Sequence, residues 1–289
     1  MDFKRIEVKL ARATTLPILP HAVTQILGLP DDTDVTPRDF ERIIVKDSAL
    51  TAKILRTANS AYFNRSGEIA NLQRAIDQLG MNTVRSICVA SAFQSRVSSK
   101  SLCRSFNTTD YWKHSLAVAC LAKVLASVTK FPRAEEAFIA GLFHDLGKMA
   151  IAMLLPDEGT RIYQNAVMRK ISHYDAEQSI LEGTHQEIGL RAAELWTLPK
   201  VFWGPISNHH TPWALEEPDP LTNLIHVANA LAHQAGMGYA TAGEMNAPDA
   251  GILEDLGVSE QQMTMIITVV SAEITKLQPV FGLSEAKAA

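Results

Sequence analysis

Five histidines in the second half of the chain, His114, His144, His185, His209 and His210, and the aspartate Asp145 are the side chains that can do chemistry together. Their centre is Gly141-Leu142-Phe143-His144-Asp145-Leu146-Gly147-Lys148, where an imidazole and a carboxylate adjoin near the end of an apolar helix. Nitrogen and oxygen donors together suit borderline or harder first-row cations. Five imidazoles and one carboxylate suffice for two ions sharing a carboxylate bridge, and a close metal pair activates water and clamps a phosphoryl group. This donor set does not distinguish Fe, Mn, Ni, Mg or Zn. Lys148 either faces an anion held at such ions or is a solvated lysine at a helix end. The competing reading makes each histidine an ordinary, satisfied helix side chain. Five of them in this order, with the His-Asp pair, favour a shared cluster. The remaining histidines, His21, His173, His226 and His233, read as structural or surface residues, with His226 the nearest to a candidate because it lies three residues before Asn229.

Helices must carry these donors. In the second half, Thr108 or Thr109 caps a helix bearing His114, and apolar residues run on through Val124 and Leu125. A helix over residues 135–155 carries His144 and Asp145, and another spans 160–182. Thr184 caps the helix of His185, and Pro199 stops it. A short helix from Lys200 ends at Asn208-His209-His210, followed by a proline-rich loop, and further amphipathic helices cover 221–235 and 259–277. In the first half, short helices are predicted over 6–13, 22–29, 40–45, 48–58 and 72–79, with a sixth from about Thr83 to Phe93. Thr36-Pro37 is read as a cap with proline at the first helical position, and Gly80 as a helix-ending glycine. No stretch alternates with period two. The class is all-α, divided at the polar, serine-rich stretch 95–107 into an N-terminal helical subdomain, 1–107, and a second, 108–289.

At 289 residues, 47% hydrophobic and 20% charged, the chain can bury a large core. A net charge of −4, with no run of Lys and Arg, argues against nucleic-acid binding. Cys88, Cys103 and Cys120 are odd in number and widely spaced, which fits free thiols in a reducing compartment. With no secretory signal and no apolar run of membrane-span length read from the sequence, the expectation is a cytoplasmic protein without membrane partners. Trp112, Trp196, Trp203 and Trp213 read as cover for the core, and the last two, flanking His209 and His210, alternatively wall a pocket. The segment Asn59-Ser60-Ala61-Tyr62-Phe63 reads as core packing, or alternatively as a partner-docking surface.

The order His114, His144-Asp145, His185, His209-His210, Asn229 resembles the HD superfamily of metal-dependent phosphohydrolases. The resemblance implies that these seven residues are the metal ligands. It also implies that, in an enzyme, Asp145 and Lys148 would be catalytic. The first half resembles the HDOD (HD-related output domain) module of bacterial signalling. It does so in Leu16-Pro17-Ile18-Leu19-Pro20, Val45-Lys46-Asp47-Ser48-Ala49-Leu50, Ala58-Asn59-Ser60-Ala61-Tyr62-Phe63 and Gly80-Met81-Asn82-Thr83-Val84-Arg85. That resemblance covers about 14–215 and implies an HD-like multi-helix bundle in which 1–107 and 108–289 form one module. It implies a regulatory output function through signalling partners such as a sensor kinase, a receiver or a cyclic-nucleotide component, with homo-oligomers possible. The chain departs from active HD enzymes at Val227-Ala228-Asn229, where an aspartate is usual, and has Thr211-Pro212-Trp213 where cyclic-di-GMP phosphodiesterases carry Gly-Tyr-Pro. The two functional expectations are therefore a regulatory interaction module that retains the cluster and a metal-dependent phosphohydrolase acting on a nucleotide or phosphomonoester.

Overall fold

A computed structural model describes residues 6, 8–9, 20–30, 35–60, 63–64, 67–97, 103, 105–181, 183–238 and 247–277. The helix expected over 6–13, the proline break at 16–20 and the polar turn at 30–34 fall wholly or mostly outside these residues, as does Tyr62. No strand occurs among the described residues, and the class is all-α. Two compact units form, one within residues 19–96 and 271–289, the other within 1–18 and 97–270.

The smaller unit is built from α1 (His21–Leu27), α2 (Pro37–Ile44), α3 (Ser48–Ala58), α4 (Leu72–Leu79) and α5 (Met81–Val97). Local chemistry fixes its helix starts. Thr36 donates from its backbone N and its hydroxyl to Asp39 at 2.9 and 2.6 Å, closing a capping box with Pro37 behind it. Asp47 accepts from Ala49 and Leu50 at the head of α3. Gly80, at φ 80°, ends α4 where a side chain would be strained. α5 starts at Met81, two residues before the Thr83 expected. Phe40, Ile44, Ile54 and Ile76 are fully buried between these helices. Asn59 ties the end of α3 to the following loop: its amide donates to the Ile69 and Leu55 carbonyls at 2.7 and 2.9 Å and accepts from the Ile69 N at 2.8 Å. The Ala-Asn-Ser signature is thus a structural latch.

The larger unit carries the histidines. Its helices are α6 (Thr108–Val128), α7 (Ala134–Phe143), α8 (Leu146–Leu154), α9 (Pro156–Arg169), α10 (His173–Leu181), α11 (His185–Leu195), α12 (Trp203–Asn208), α13 (Pro220–Gln234) and α14 (Ala250–Leu256), with short 3-10 turns at Lys200–Phe202 and Pro212–Ala214. α15 (Glu260–Leu277) follows. α6 is apolar on nearly every side because it is the central helix, with α7 and α13 packed against it. Its cap is Asn107, whose side chain accepts from Thr109 and Asp110, and not Thr108 or Thr109. Two helix pairs approach at backbone distance. A Cβ on Gly141 would stand 2.5 Å from the Ala119 Cα, so α7 lies directly on α6. A Cβ on Gly147 would stand 1.8 Å from the His185 carbonyl oxygen, so the heads of α8 and α11 touch through main chain.

Two sequence expectations change here. The segment 135–155 is not one helix: α7 ends at Phe143, His144 and Asp145 form a turn, and α8 begins at Leu146. The stretch Ala134–Leu154 is apolar and long enough by composition to cross a bilayer, and 89% of its most apolar 18-residue window is buried inside the fold. The segment 160–182 likewise divides, at Lys170, whose left-handed φ of 56° turns α9 into α10. α14 was not anticipated.

Candidate metal centre

The break at His144-Asp145 makes the site. On a continuous helix, neighbouring side chains diverge by about 100° around the axis. With Asp145 at φ −94°, ψ 19°, the turn lets both side chains face one point. Around the Asp145 carboxylate stand His185 Nε2 at 3.3 Å, His144 Nε2 at 3.4 Å, His209 Nε2 at 3.6 Å and His114 Nε2 at 3.7 Å. These four histidines, Asp145 and Asn229 have no solvent exposure.

Each imidazole is oriented by its other nitrogen. His144 Nδ1 donates to the Gly141 carbonyl at 2.8 Å, His209 Nδ1 to the Pro205 carbonyl at 2.9 Å and His114 Nδ1 to the Met237 carbonyl at 3.3 Å. His185 Nδ1 donates to Glu177 Oε2 at 2.7 Å. Carbonyls and carboxylates only accept, so in the neutral ring the single proton sits on Nδ1 and a lone pair remains on Nε2. With all four rings neutral, four lone pairs converge on a carboxylate, and His185 Nε2 stands 3.2 Å from His209 Nε2. Acceptors facing acceptors repel unless a cation lies among them, and rings fixed through Nδ1 are how metal-ligating histidines are held. The donor atoms form two groups about the shared Asp145: His185, His209 and His210 on one side, His114 and His144 on the other, with the donor atoms of each group within 4.8 Å of one another.

Electrostatics agree. Burial pushes His114 well below its ordinary pKa, with His233 and His144 adding to the effect, and takes His209 down to about 3. Burial, then the neighbouring His209 and His185, lowers His210 as well. These rings are neutral at pH 7 and available as ligands. Burial alone would raise the Asp145 carboxyl, but neighbouring positive charge, that of the Lys148 ammonium 2.9 Å away, outweighs it and holds it well below the usual carboxylate range.

Lys148 is 5% exposed, in the first turn of α8, and donates to Asp145 Oδ2 at 2.9 Å. It is neither solvated nor directed away from the cluster. His210 is half-buried; its Nε2 is enclosed without a hydrogen bond, and its ring lies 5.1 Å from that of Tyr174. Asn229, on α13, is buried with neither amide atom hydrogen-bonded. Trp112 and Trp196 are buried, whereas Trp213 is 63% exposed and edge-on to His226, and neither it nor Trp203 lines the cavity that Lys148 and Glu177 border. Three participants are not visible in the motif: Glu177, 1% exposed, which also accepts from the His185 backbone N; Tyr111, whose hydroxyl donates to the Asp145 carbonyl at 3.1 Å; and His233, whose ring is 4.6 Å from His114. His226 is structural, donating from Nδ1 to the His209 carbonyl and accepting from the Asp249 N.

Comparison with known proteins agrees with this architecture. An HDOD domain protein of unknown function from Geobacter sulfurreducens shares 22% identity and superposes with a TM-score of 0.78, covering 98% of this chain and 100% of that one. A candidate phosphohydrolase from Shewanella amazonensis SB2B shares 23% identity with a TM-score of 0.73, covering 95% of this chain and 97% of that one. An uncharacterised protein of Treponema pallidum (strain Nichols) is 26% identical over 224 residues; the match takes in 75% of this chain and 42% of that relative's length. The profile of the HDOD domain matches residues 16–212, more than half the chain, and with the all-helical fold and its His/Asp cluster it places the chain in the HDOD domain family.

Proposed function

We propose that this chain is a regulatory output module of bacterial signalling in which a buried divalent-metal centre organises the helices and the outer surface recognises a protein partner. The observation that carries the reading is the enclosure of the donors. His114, His144, Asp145, His185, His209 and Asn229 are wholly buried, and the Lys148 ammonium is directed at Asp145. Structural metal sites are closed, whereas catalytic ones keep a position open to substrate. A divalent ion bound among these residues would supply the positive charge that the converging lone pairs require. Asn229 supports the same reading, because an amide in place of a carboxylate removes one negative charge from the site. The partner classes proposed are a sensor kinase, a receiver or a component of cyclic-nucleotide signalling, acting in the cytoplasm, with self-association as a further mode.

One observation favours a second reading, a phosphohydrolase acting on a nucleotide or phosphomonoester. Lys148 and Glu177, both bonded to the cluster, also line a cavity of about 580 Å³ with Tyr111, Tyr163, Lys170 and His173. That is a volume suited to a small ligand. In this reading Lys148 would hold a phosphoryl oxygen while Asp145 stays ionised.

Metal content of the purified chain and a panel of nucleotides and phosphomonoesters with Mn²⁺, Mg²⁺ and Ni²⁺ separate the two. The regulatory reading expects bound metal and no turnover. Turnover by the native chain that His144→Ala abolishes would overturn it, and activity gained only by Asn229→Asp would mark a disabled enzyme site.

A further inference from the structure

The cavity that Lys148 and Glu177 border has two unlike ends. Glu177, Tyr111 and Lys148 are buried and form its inner end. Lys170 is exposed and His173 half-buried, which places them at the mouth. Between the ends the walls are apolar. Ile151 and Ile162 are buried, and the Phe106 ring lies 5.0 Å from that of Tyr111. On α9, Tyr163 and Val167 remain 41% and 50% exposed at the opening, and the Tyr163 ring is 6.0 Å from that of His173. The apolar and basic parts of the mouth therefore adjoin.

The inner carboxylate is only half used. Both bonds that orient His185, from its backbone N at 2.8 Å and its Nδ1 at 2.7 Å, end on Glu177 Oε2. Oε1 takes no hydrogen bond among the described residues, and no Lys or Arg among them lies within ion-pair distance of Glu177. The Lys148 ammonium, on the same wall, is directed to Asp145 Oδ2 at 2.9 Å. Buried charges are paired as a rule, and a carboxylate on a cavity wall can take its partner from the occupant.

We propose that this cavity binds a small apolar zwitterion of dipeptide size. Its ammonium bonds Glu177 Oε1, its apolar side chains lie against Ile151, Ile162 and Phe106, and its carboxylate sits at the mouth beside Lys170 and His173. Other ligand classes leave part of this lining unanswered. A purely apolar molecule would seal Glu177 Oε1 from water without supplying a donor. An anion pushed inward would meet the Glu177 carboxylate, and a simple organic cation would meet Lys170 on entering. The volume of about 580 Å³ lies in the range of cavities that enclose small ligands. The site adds a small-molecule input to the regulatory reading above and does not depend on it, nor on a metal being bound.

The test is titration calorimetry on the full chain with the dipeptides Leu-Phe, Phe-Leu and Ile-Val, their N-acetyl and C-terminal amide forms, and AMP as an anionic comparator. At least one free dipeptide is expected to bind with a Kd below about 1 mM. N-acetylation removes the ammonium and keeps the side chains, and it should weaken binding about 10–100-fold, the worth of a hydrogen bond to a charged group. Amidation acts at the exposed mouth and should cost only about two- to fivefold, less in high salt. In Glu177→Gln the free and N-acetyl peptides should bind alike. Lys170→Asn, chosen because Asn tolerates the left-handed φ of 56° there, should remove the effect of amidation. The peptide derivatives act on the native chain, so the outcome stands even where a variant does not fold. Failure of all three free dipeptides to bind, equal binding of free and N-acetyl forms to the native chain, or binding of AMP in their place overturns the assignment. None of these outcomes bears on metal content, so the metal centre is judged separately.

Discussion

Gly147→Ala is the smallest change that should dismantle the metal centre while leaving every ligand in place. The added Cβ would lie 1.8 Å from the His185 carbonyl oxygen, 2.6 Å from its carbonyl carbon and 2.8 Å from the Gly189 nitrogen. Ordinary contact begins at 3.4 Å, so α8 and α11 must separate by 3.4 − 1.8 = 1.6 Å or tilt by an equivalent amount. All three obstacles are main chain, so no rotamer change can relieve them. Overpacking of this kind costs about 3 kcal/mol, the upper end of the usual range. That corresponds to a fall of about 6–12 °C in Tm for a chain of this size class. The effect on metal binding should be larger in proportion. α11 begins with His185, whose Nε2 stands 3.3 Å from Asp145 and 3.2 Å from His209 Nε2. A displacement of about 1.6 Å far exceeds the roughly 0.2 Å over which metal–ligand distances are tolerated. The assay is thermal unfolding with and without added Zn²⁺, alongside metal retention after desalting. Gly28→Ala, whose Cβ meets nothing nearer than 3.4 Å, serves as the control. If Gly147→Ala keeps native metal content and the native Zn²⁺-dependent rise in Tm, the close approach of α8 and α11 does not position His185, and the geometric argument for the site fails.

The metal-stripped chain should lose stability as pH falls below about 6.5. There the unfolded chain protonates histidines that the fold keeps neutral, His114, His209 and His210 among them, at up to about 1.4 kcal/mol per pH unit for each. Urea midpoints at pH 7.5 and 5.5 check this, and equal or higher stability at pH 5.5 contradicts it. Glu177→Gln should weaken metal binding on the order of 10–100-fold while leaving the fold intact, because Glu177 orients His185 through both its ring and its backbone N; unaltered Zn²⁺ affinity would remove Glu177 from the site. Asn59→Ala should cost about 2–4 kcal/mol in the smaller unit, since three of its hydrogen bonds to main chain disappear together. Denaturant unfolding measures that, and a loss under 1 kcal/mol would mean the latch is not holding the loop.

Much of this arrangement was readable from residue types. The helices announced themselves by apolar spacing, and Thr36, Thr184 and Gly80 marked ends that the structure bears out through capping boxes and a positive φ. The donors His114, His144, Asp145, His185 and His209 could be named because imidazoles on separate helices have few other reasons to recur with a His-Asp pair. The break at His144-Asp145 was not readable: the apolar pattern from Ala134 to Leu154 is continuous, and only tertiary contact decides that the chain turns there. Glu177 was hidden for a similar reason. A carboxylate in a short polar helix looks solvated until α10 is seen to deliver it to the ring of His185 eight residues later. His233 sits in the last turn of α13, where a basic residue is explained sufficiently by the helix dipole. Asn107 precedes two threonines, and all three residue types are competent caps, so the sequence could not choose among them.

The site and the fold are therefore one energetic problem. Nearly every donor is positioned by main chain: the Gly141, Pro205 and Met237 carbonyls fix His144, His209 and His114, and the contact of Gly147 with the His185 carbonyl sets the spacing of α8 and α11. Lone pairs aimed at one another are unfavourable until a cation joins them, and the unfolded chain offers no comparable set of ligands. Metal binding free energy then becomes folding free energy for the larger unit. Removing the ion should lower stability there first and leave the smaller unit, latched by Asn59 and packed around Phe40, Ile54 and Ile76, less affected. Hydrogen exchange on stripped and reloaded chain reads this residue by residue. Loss of protection confined to α6, α8, α11 and α13 supports the coupling, and uniform loss across both units contradicts it.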